Sequence, residues 1–504
     1  MLYSKAQKSI LYQVFAAVLC SLFLGWLLTN DLFALDSIKV LLMTTFLLIC
    51  MLIFVVFKPF IYSNTILENL LYLLIISSFF GPAVASVNVG PFSIFPYRLL
   101  FLIVLPLFFI KYFQKDGLTP WSRINVKTIV WFHIIWIFYA FTSLLWAKSL
   151  KAGIIDLIFL IIGISLILFV TFTYKKERHY VNLFYVWIFM FFLLLVFGLI
   201  NNLTLIHFPV SRFYGIDTYQ KSIPTSVFAN ENDFASFISI SFFFGLALLN
   251  RSKNIWVKIG SACLLLFALY IMSLTSSRAN YIAIILGLAF WFLFFTNRQV
   301  KRYIIVAGLF FTTLAIMIVP EKIYNGYNSV FNLIATLSNT SEGSSVNIRI
   351  NLIKNSIIFI SESLGWGIGS GNSEYYMKVF GTYPTHTIVN IHNWWIELMV
   401  NYGIFIFTGY LFLYLGLIFY IYKIFKEANG NNRMIAEALC TALIAFFLAS
   451  ISPSSQITLN YLWLLFAFAI GFVNYWRSYQ RSTIQPIKWR KTNEGNVESN
   501  LDKI

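Results

Sequence analysis

The stretch 320–401 concentrates the groups that could do chemistry in an otherwise apolar chain: Arg349, Glu362, Glu374, His386, His392 and Glu397. It closes with Thr-His-Thr-Ile-Val-Asn-Ile-His-Asn-Trp-Trp-Ile-Glu-Leu, from Thr385 to Leu398. Imidazole exchanges a proton near neutrality, and a guanidinium fork matches phosphate or carboxylate oxygens, so the inventory suits acid–base and anion-binding chemistry. Glu397 lies five residues past His392, on a different face of any helix that holds both, and no intrahelical dyad is expected. No Asp, Glu, His or Cys in this stretch falls at a recognised ligand spacing, so no metal and no other cofactor is expected.

The elements that must carry these groups follow from composition. With 59% hydrophobic and 11% charged residues over 504 positions, and a mean hydropathy of +0.79, the chain reads as an all-α, polytopic membrane protein. The net charge of +17 sits between apolar runs, where Lys and Arg orient helices, so nucleic acid is discounted as a partner and membrane lipid is the expected surrounding. Cys20, Cys50, Cys263 and Cys440 lie in apolar runs without Cys-x-x-Cys spacing, which argues against a disulfide framework or a zinc site. Apolar runs long enough to cross a bilayer about 30 Å thick are placed at 10–29, 38–57, 66–81, 97–113, 128–147, 152–173, 180–200, 233–250, 255–274, 279–296, 303–319, 402–422, 434–451 and 458–476. That makes about fourteen spans, with twelve as the lower bound. The first run is read as an uncleaved span, since no small-x-small cleavage pattern closes it.

Charge sets their direction. With the N-terminus inside, 25 of the 36 Lys and Arg fall in cytoplasmic segments, as the positive-inside rule expects, and both termini are cytoplasmic. The long connections 81–96, 201–232 and 320–401 are then extracytoplasmic; the first reads as a turn-rich or re-entrant piece broken by Gly81-Pro82 and Gly90-Pro91. The second holds Arg212, Tyr214, Asp217, Tyr219 and Lys221, a mixture that would suit a sugar and would equally suit an ordinary exposed loop. In the third, apolar Ile350, Ile353, Ile357 and Ile360 predict an amphipathic helix over 345–362 along the membrane surface, capped by Asn347 or Ser345 and ended by Gly365. The run Gly365-Trp-Gly-Ile-Gly-Ser-Gly-Asn372 fails the dinucleotide fingerprint and licenses a flexible turn near a bulky ligand. Four regions result: N-terminal spans 1–200, a central region 201–422 containing the loop 320–401, C-terminal spans 423–476, and a basic tail 477–504 expected to be disordered.

Four segments in order resemble the O-antigen ligase and O-antigen polymerase superfamily: Phe228-Ala-Asn-Glu-Asn-Asp-Phe-Ala235, Leu274-Thr-Ser-Ser-Arg-Ala279, Arg349 through Gly365-Trp-Gly-Ile-Gly369, and Ile391-His-Asn-Trp-Trp-Ile-Glu-Leu-Met-Val-Asn-Tyr-Gly403. The resemblance covers 200–420. It implies a metal-independent glycosyltransferase of the bacterial plasma membrane. The donor would be a glycan on polyprenyl pyrophosphate, and the acceptor a sugar hydroxyl of a second glycan, or a lipid or protein anchor. Within it, His392 is the candidate base, Arg278 and Arg349 the pyrophosphate clamps, and Arg212, Tyr214, Asn230, Asn232, Trp366 and Trp395 candidate glycan contacts. Each has a plainer role available: Arg278 can snorkel to the interface, Arg349 can decorate a polar helix face, and His392 can belong to an aromatic belt with Trp394 and Trp395. His386 lacks a motif match and is left as structural. A transporter of lipid-linked glycans would instead carry ionisable residues along mid-span; Glu68 and Asp156, the main acidic residues within spans, lie near span ends. Polymerase is preferred to ligase because the long loop can grip a second chain.

Overall fold

The computed structural model describes residues 66–318 and 345–501, apart from 85, 90, 91, 116, 217 and 218. The expected spans 10–29 and 38–57, the segment 319–344 and Asp217 lie outside the described residues. The chain is mostly helical: α1 Ile66–Ser78, α2 Pro96–Phe113, α3 Lys127–Ser143, α4 Leu150–Thr173, α5 Glu177–Thr204, α6 Glu231–Arg251, α7 Ile255–Thr275, α8 Arg278–Phe294, α9 Arg298–Ile318, α10 Ser345–Glu362, α11 Ser373–Phe380, α12 Trp394–Glu427, α13 Gly430–Ala449 and α14 Asn460–Leu501. Among the described residues seven of these, α2, α4, α5, α6, α7, α12 and α13, are long and apolar enough to cross a membrane, and α1 and α8 are shorter apolar helices. The protein is therefore a polytopic membrane protein. Helix starts carry their own caps: Ser149, Asn230, Asn254 and Asn393 each accept a hydrogen bond from an amide of the following turn.

Helices α6 and α13 form the buried centre, with α5, α7, α8 and α12 against them and α4 against α14. Aromatic residues fill the spaces that helix packing leaves. Trp187 stacks on Phe244 at 4.6 Å between ring centroids and donates its indole N–H to Ser241, while Trp136 meets Tyr402, Tyr410 and Trp463 within 6.0 Å. Such pairs add directional contact to the area they bury.

Four expectations are revised. The 81–96 connection is not an irregular loop alone; Val87–Val89 and Phe92–Ile94 pair as a small antiparallel hairpin, a β element in a fold expected to be purely helical. The amphipathic helix is found at Ser345–Glu362, but its isoleucine stripe is not the buried face, with only Ile360 packed, partly buried, against the smaller core. Ile357 is 57% exposed, and the buried face is Leu352, Asn355, Ser356 and Phe359. The reason is polar: Asn355 accepts from the amides of Thr382 and Tyr383 and donates to the Tyr383 carbonyl, and Asn351 donates to Pro384 O, so the asparagines must face the loop after α11. Leu352, Phe359, Ile368, Met377, Ile391 and Val400 make a second, smaller core under this cap. The tail expected to be disordered begins as a continuation of α14, because its first turns have partners: Arg477 donates to Asn125 O, Ser478 accepts from Asn125, and Gln480 donates to Glu427.

The fourth revision concerns the glycine run. Gly365, Gly367, Gly369 and Gly371 all have positive φ, yet they are not a loose turn. A Cβ on Gly367 would stand 2.5 Å from Gly403 N, and one on Gly371 would stand 2.4 Å from Asp156 Cβ, so the run is pressed against α12 and α4. Gly403 interrupts α12 at φ 78°, ψ 175° and separates Trp394–Tyr402 from the long span behind it. Asp156, buried near the start of α4, receives Ser370 Oγ at 2.5 Å and the Tyr402 hydroxyl, which ties the run to the bundle.

Candidate active site

At one end of the bundle α6, α8 and α12 begin and α13 ends, and the connection from Ser450 to Gln456 crosses between them. His392 lies just before α12 with φ 53°, a left-handed conformation that non-glycine residues seldom adopt. Its amide donates to Asn390 Oδ1 at 2.9 Å, and Asn390 in turn donates to Glu374 Oε1 at 3.0 Å. Ring Nδ1 lies 3.1 Å from Pro453 O. A carbonyl only accepts, so in the neutral ring Nδ1 carries the proton and the lone pair is left on Nε2. Burial pulls the imidazole pKa below its ordinary value of 6.5; the Pro453 carbonyl pulls it back, the Arg349 charge adds to the lowering, and the Ser452 carbonyl and Glu374 oppose it. The net direction keeps His392 neutral at pH 7.

Arg349, one turn into α10, is half-buried and makes no hydrogen bond or ion pair among the described residues; burial lowers its pKa. A guanidinium held away from water without a carboxylate is poised for an anionic ligand. Arg278 opens α8, exposed and likewise unpaired among the described residues. Next to it Ser277 Oγ donates to Asn232 Oδ1 at 2.9 Å, and Ser452 Oγ donates to the same oxygen at 2.9 Å. Arg278 is thus one residue from a polar knot whose other end, Ser452-Pro453, holds His392.

The other candidates separate. Tyr214 is partly exposed beside Arg212, but Arg212 pairs with Glu231 Oε1 at 2.8 Å and lies over the Phe213 ring, so its charge is already matched. Asn230 is the α6 cap: its Oδ1 takes the amides of Asn232 and Asp233 and its amide group donates to Asp233 and Ser454, which leaves nothing for a sugar. Trp395 also departs from its expected role. It is 8% exposed, donates its N–H to Phe447 O and packs on Tyr414 at 5.2 Å, because its place on the first turn of α12 turns it into the α12–α13 interface. Trp366 is 54% exposed but stands at the Gly403 kink against Phe405.

A cavity of about 380 Å³ opens beside Asn390 and brings together Arg98, Asp233, Glu374, Asn390, Ser454 and Ser455 on a wall otherwise rich in phenylalanine. Two parts of it were missed from the sequence. Arg98 follows Pro96 at the start of α2, donates to Ser93 O of the hairpin, and has Phe95 and Phe159 rings at 4.7 and 4.9 Å. The Ser450-Ile-Ser-Pro-Ser-Ser-Gln456 connection is the second; its signal was present as four serines and a proline between two apolar runs. Among the described residues no three His, Cys, Asp or Glu side chains come together as a metal would require.

A family model described as O-antigen ligase matches residues 262–411, from α7 into α12. The teichuronic acid biosynthesis protein TuaE of Bacillus subtilis (strain 168) is 34% identical over 407 residues, covering 80% of this chain and 83% of that protein. The chain belongs to the O-antigen ligase and polymerase superfamily. The O-antigen ligase match takes in Arg278, Arg349, Trp366 and His392, whereas Arg98, Asp233 and the serine-rich connection stand outside it. The matched segment therefore contains the candidate base and clamps, whereas Pro453, whose carbonyl meets His392, lies outside it.

Proposed function

We propose that the protein is a glycosyltransferase of cell-surface polysaccharide biosynthesis that works at the extracytoplasmic face of a bacterial plasma membrane. It transfers a glycan from polyprenyl pyrophosphate to the hydroxyl of a second lipid-linked glycan. The single observation that carries this is the pairing of a neutral imidazole, fixed as its Nδ1–H tautomer by Pro453, with an unmatched, half-buried guanidinium close enough to perturb it. The acceptor oxygen attacks the anomeric carbon, the bond from that carbon to the pyrophosphate oxygen breaks, and the hydroxyl proton passes to Nε2 of His392. Arg349 and Arg278 hold the departing pyrophosphate, so the charge a metal would neutralise is met by guanidinium forks. One displacement gives inversion at the anomeric carbon. The similarity to TuaE, a protein named for teichuronic acid biosynthesis, supports a role in cell-surface polysaccharide biosynthesis. The family description also supports transfer to a separate lipid or protein anchor.

The test is reconstitution of the purified protein in vesicles with lipid-linked glycan and EDTA. Lengthened lipid-linked product is expected; transfer only to an added anchor identifies a ligase, and no transfer under either condition removes the reading. Arg349→Lys and Arg278→Lys keep charge but lose the fork, so donor use is expected to fall by about tenfold or more in at least one, the loss of a bidentate contact being worth about 1.5–3 kcal/mol. Unchanged donor dependence in both would remove the clamps.

Sidedness is checked separately. A cysteine in place of exposed Glu362 should react with an impermeant thiol reagent on intact cells, and one in place of exposed Lys253 should react only after the membrane is opened. The reverse pattern would put the site in the cytoplasm.

A further inference from the structure

At the end of the bundle opposite His392, α6, α8 and α12 finish and α13 begins around a cavity of about 340 Å³. Its polar lining is Asn250, Arg251, Thr296, Asn297, Lys426 and Arg433, with no carboxylate among the lining residues. Arg251 is already matched: its Nε pairs with Glu437, and its other arm donates to Phe295 O at 3.1 Å. Glu437, wholly buried, is also occupied, since it takes Asn250 at 2.6 Å and Trp291 at 2.7 Å. The remaining two cations make no ion pair among the described residues; the Glu437 charge favours Arg433, and the Arg251 charge opposes it. Arg433 lies with its guanidinium 4.6 Å from the centroid of Phe425, the ring that Arg251 approaches from 5.2 Å, and its buried Nε has no partner. Lys426 is exposed beside it with its ammonium over Tyr422.

Two guanidinium groups on one ring repel each other, and a third positive charge at the same mouth raises the cost. We propose that this cavity is a binding site for a phosphate-bearing group, with Arg433 and Lys426 as its charged contacts. A guanidinium fork and an ammonium are the donor set that phosphate oxygens match. Phe294, Phe295 and Val300 form the rest of the wall, and an apolar wall beside a basic pocket at the ends of spans suits an anionic phospholipid headgroup with part of its glycerol. The site is separate from the glycan chemistry and does not depend on it.

The experiment uses the full-length protein in a neutral detergent. Thermal unfolding is followed with added phosphatidylglycerol, with phosphatidylcholine at the same concentration, and with inorganic phosphate. Phosphatidylglycerol is expected to raise Tm more than phosphatidylcholine does, and the Arg433→Gln/Lys426→Gln variant is expected to lose at least half of that excess. Inorganic phosphate reproducing the rise assigns the site to a soluble phosphate; phosphate without effect assigns it to the lipid. If the double variant does not fold, Lys426→Gln alone, at an exposed position, is expected to reduce the excess. The same excess in wild type and variant, or no excess in either, overturns the proposal.

Discussion

Replacing His392 by alanine is expected to lower glycan transfer by about 10²–10⁴-fold while leaving a folded protein that still binds donor, because positioned proton transfer contributes about that much. A sugar hydroxyl is not ionised near neutrality, so its attack gains from a group that accepts the proton as the new bond forms. The imidazole is suited to this only while neutral. Burial and the Arg349 charge lower its pKa below 6.5, so the required form is present at neutral pH and is lost only as pH falls through that lowered value. The pH–rate profile of wild type is therefore expected to hold level down through pH 6.5 and to fall on the acid side of it. His392→Gln, which retains an amide for Pro453 but no base, should be as inactive as alanine. Turnover above about a tenth of wild type in monodisperse His392→Ala protein would leave the ring as part of an aromatic belt.

The second large effect is expected at a residue that touches no substrate. Gly403→Ala should destabilise the protein by about 2 kcal/mol or more, since φ 78°, ψ 175° is a region essentially confined to glycine, where other residues cost about 1–3 kcal/mol. The added methyl would also stand 2.5 Å from Trp366 C and O and 2.6 Å from Gly365 O, all backbone atoms that cannot swing aside. The glycine run would have to retreat from α12, carrying the cap of α10 with it, so transfer should fall together with thermal stability. Gly416→Ala, on the same helix with nothing within 4 Å of its added carbon, is the control and should leave both unchanged or slightly raised. Equal behaviour of the two variants would show that the kink is incidental.

Among the described residues seven helices are long and apolar enough to span, and where they fall at expected positions they are legible because hydrocarbon imposes both length and composition: the expected 255–274 and 97–113 differ from α7 and α2 by one residue at an end. The helix over 345–362 was legible for the same reason of periodicity. Its packed face was not, because Asn351 and Asn355 are buried through bonds to a loop some thirty residues away in the chain, and no local pattern encodes that. The same limit applies at the site. His392, Arg278 and Arg349 could be named from ordered motifs, but Trp395 and Asn230 carry side chains of the right type for glycan and are spent on packing and capping. Arg98 and the serine-rich connection meet only through proximity, which becomes visible when α2, α6, α12 and α14 are brought to one end.

The hydrogen bond from His392 to Pro453 also has a meaning in time. The ribosome releases the histidine some sixty residues before the carbonyl that selects its tautomer, and α12 and α13 must be inserted between them. Until that return of the chain is complete, a nascent protein carries the imidazole with no Pro453 carbonyl to fix its proton and no Ser452 to close the knot around Asn232. A chain that stalls before the end of α13 therefore already holds Arg278, Arg349 and His392, yet lacks the Ser452-Pro453 segment that completes their surroundings.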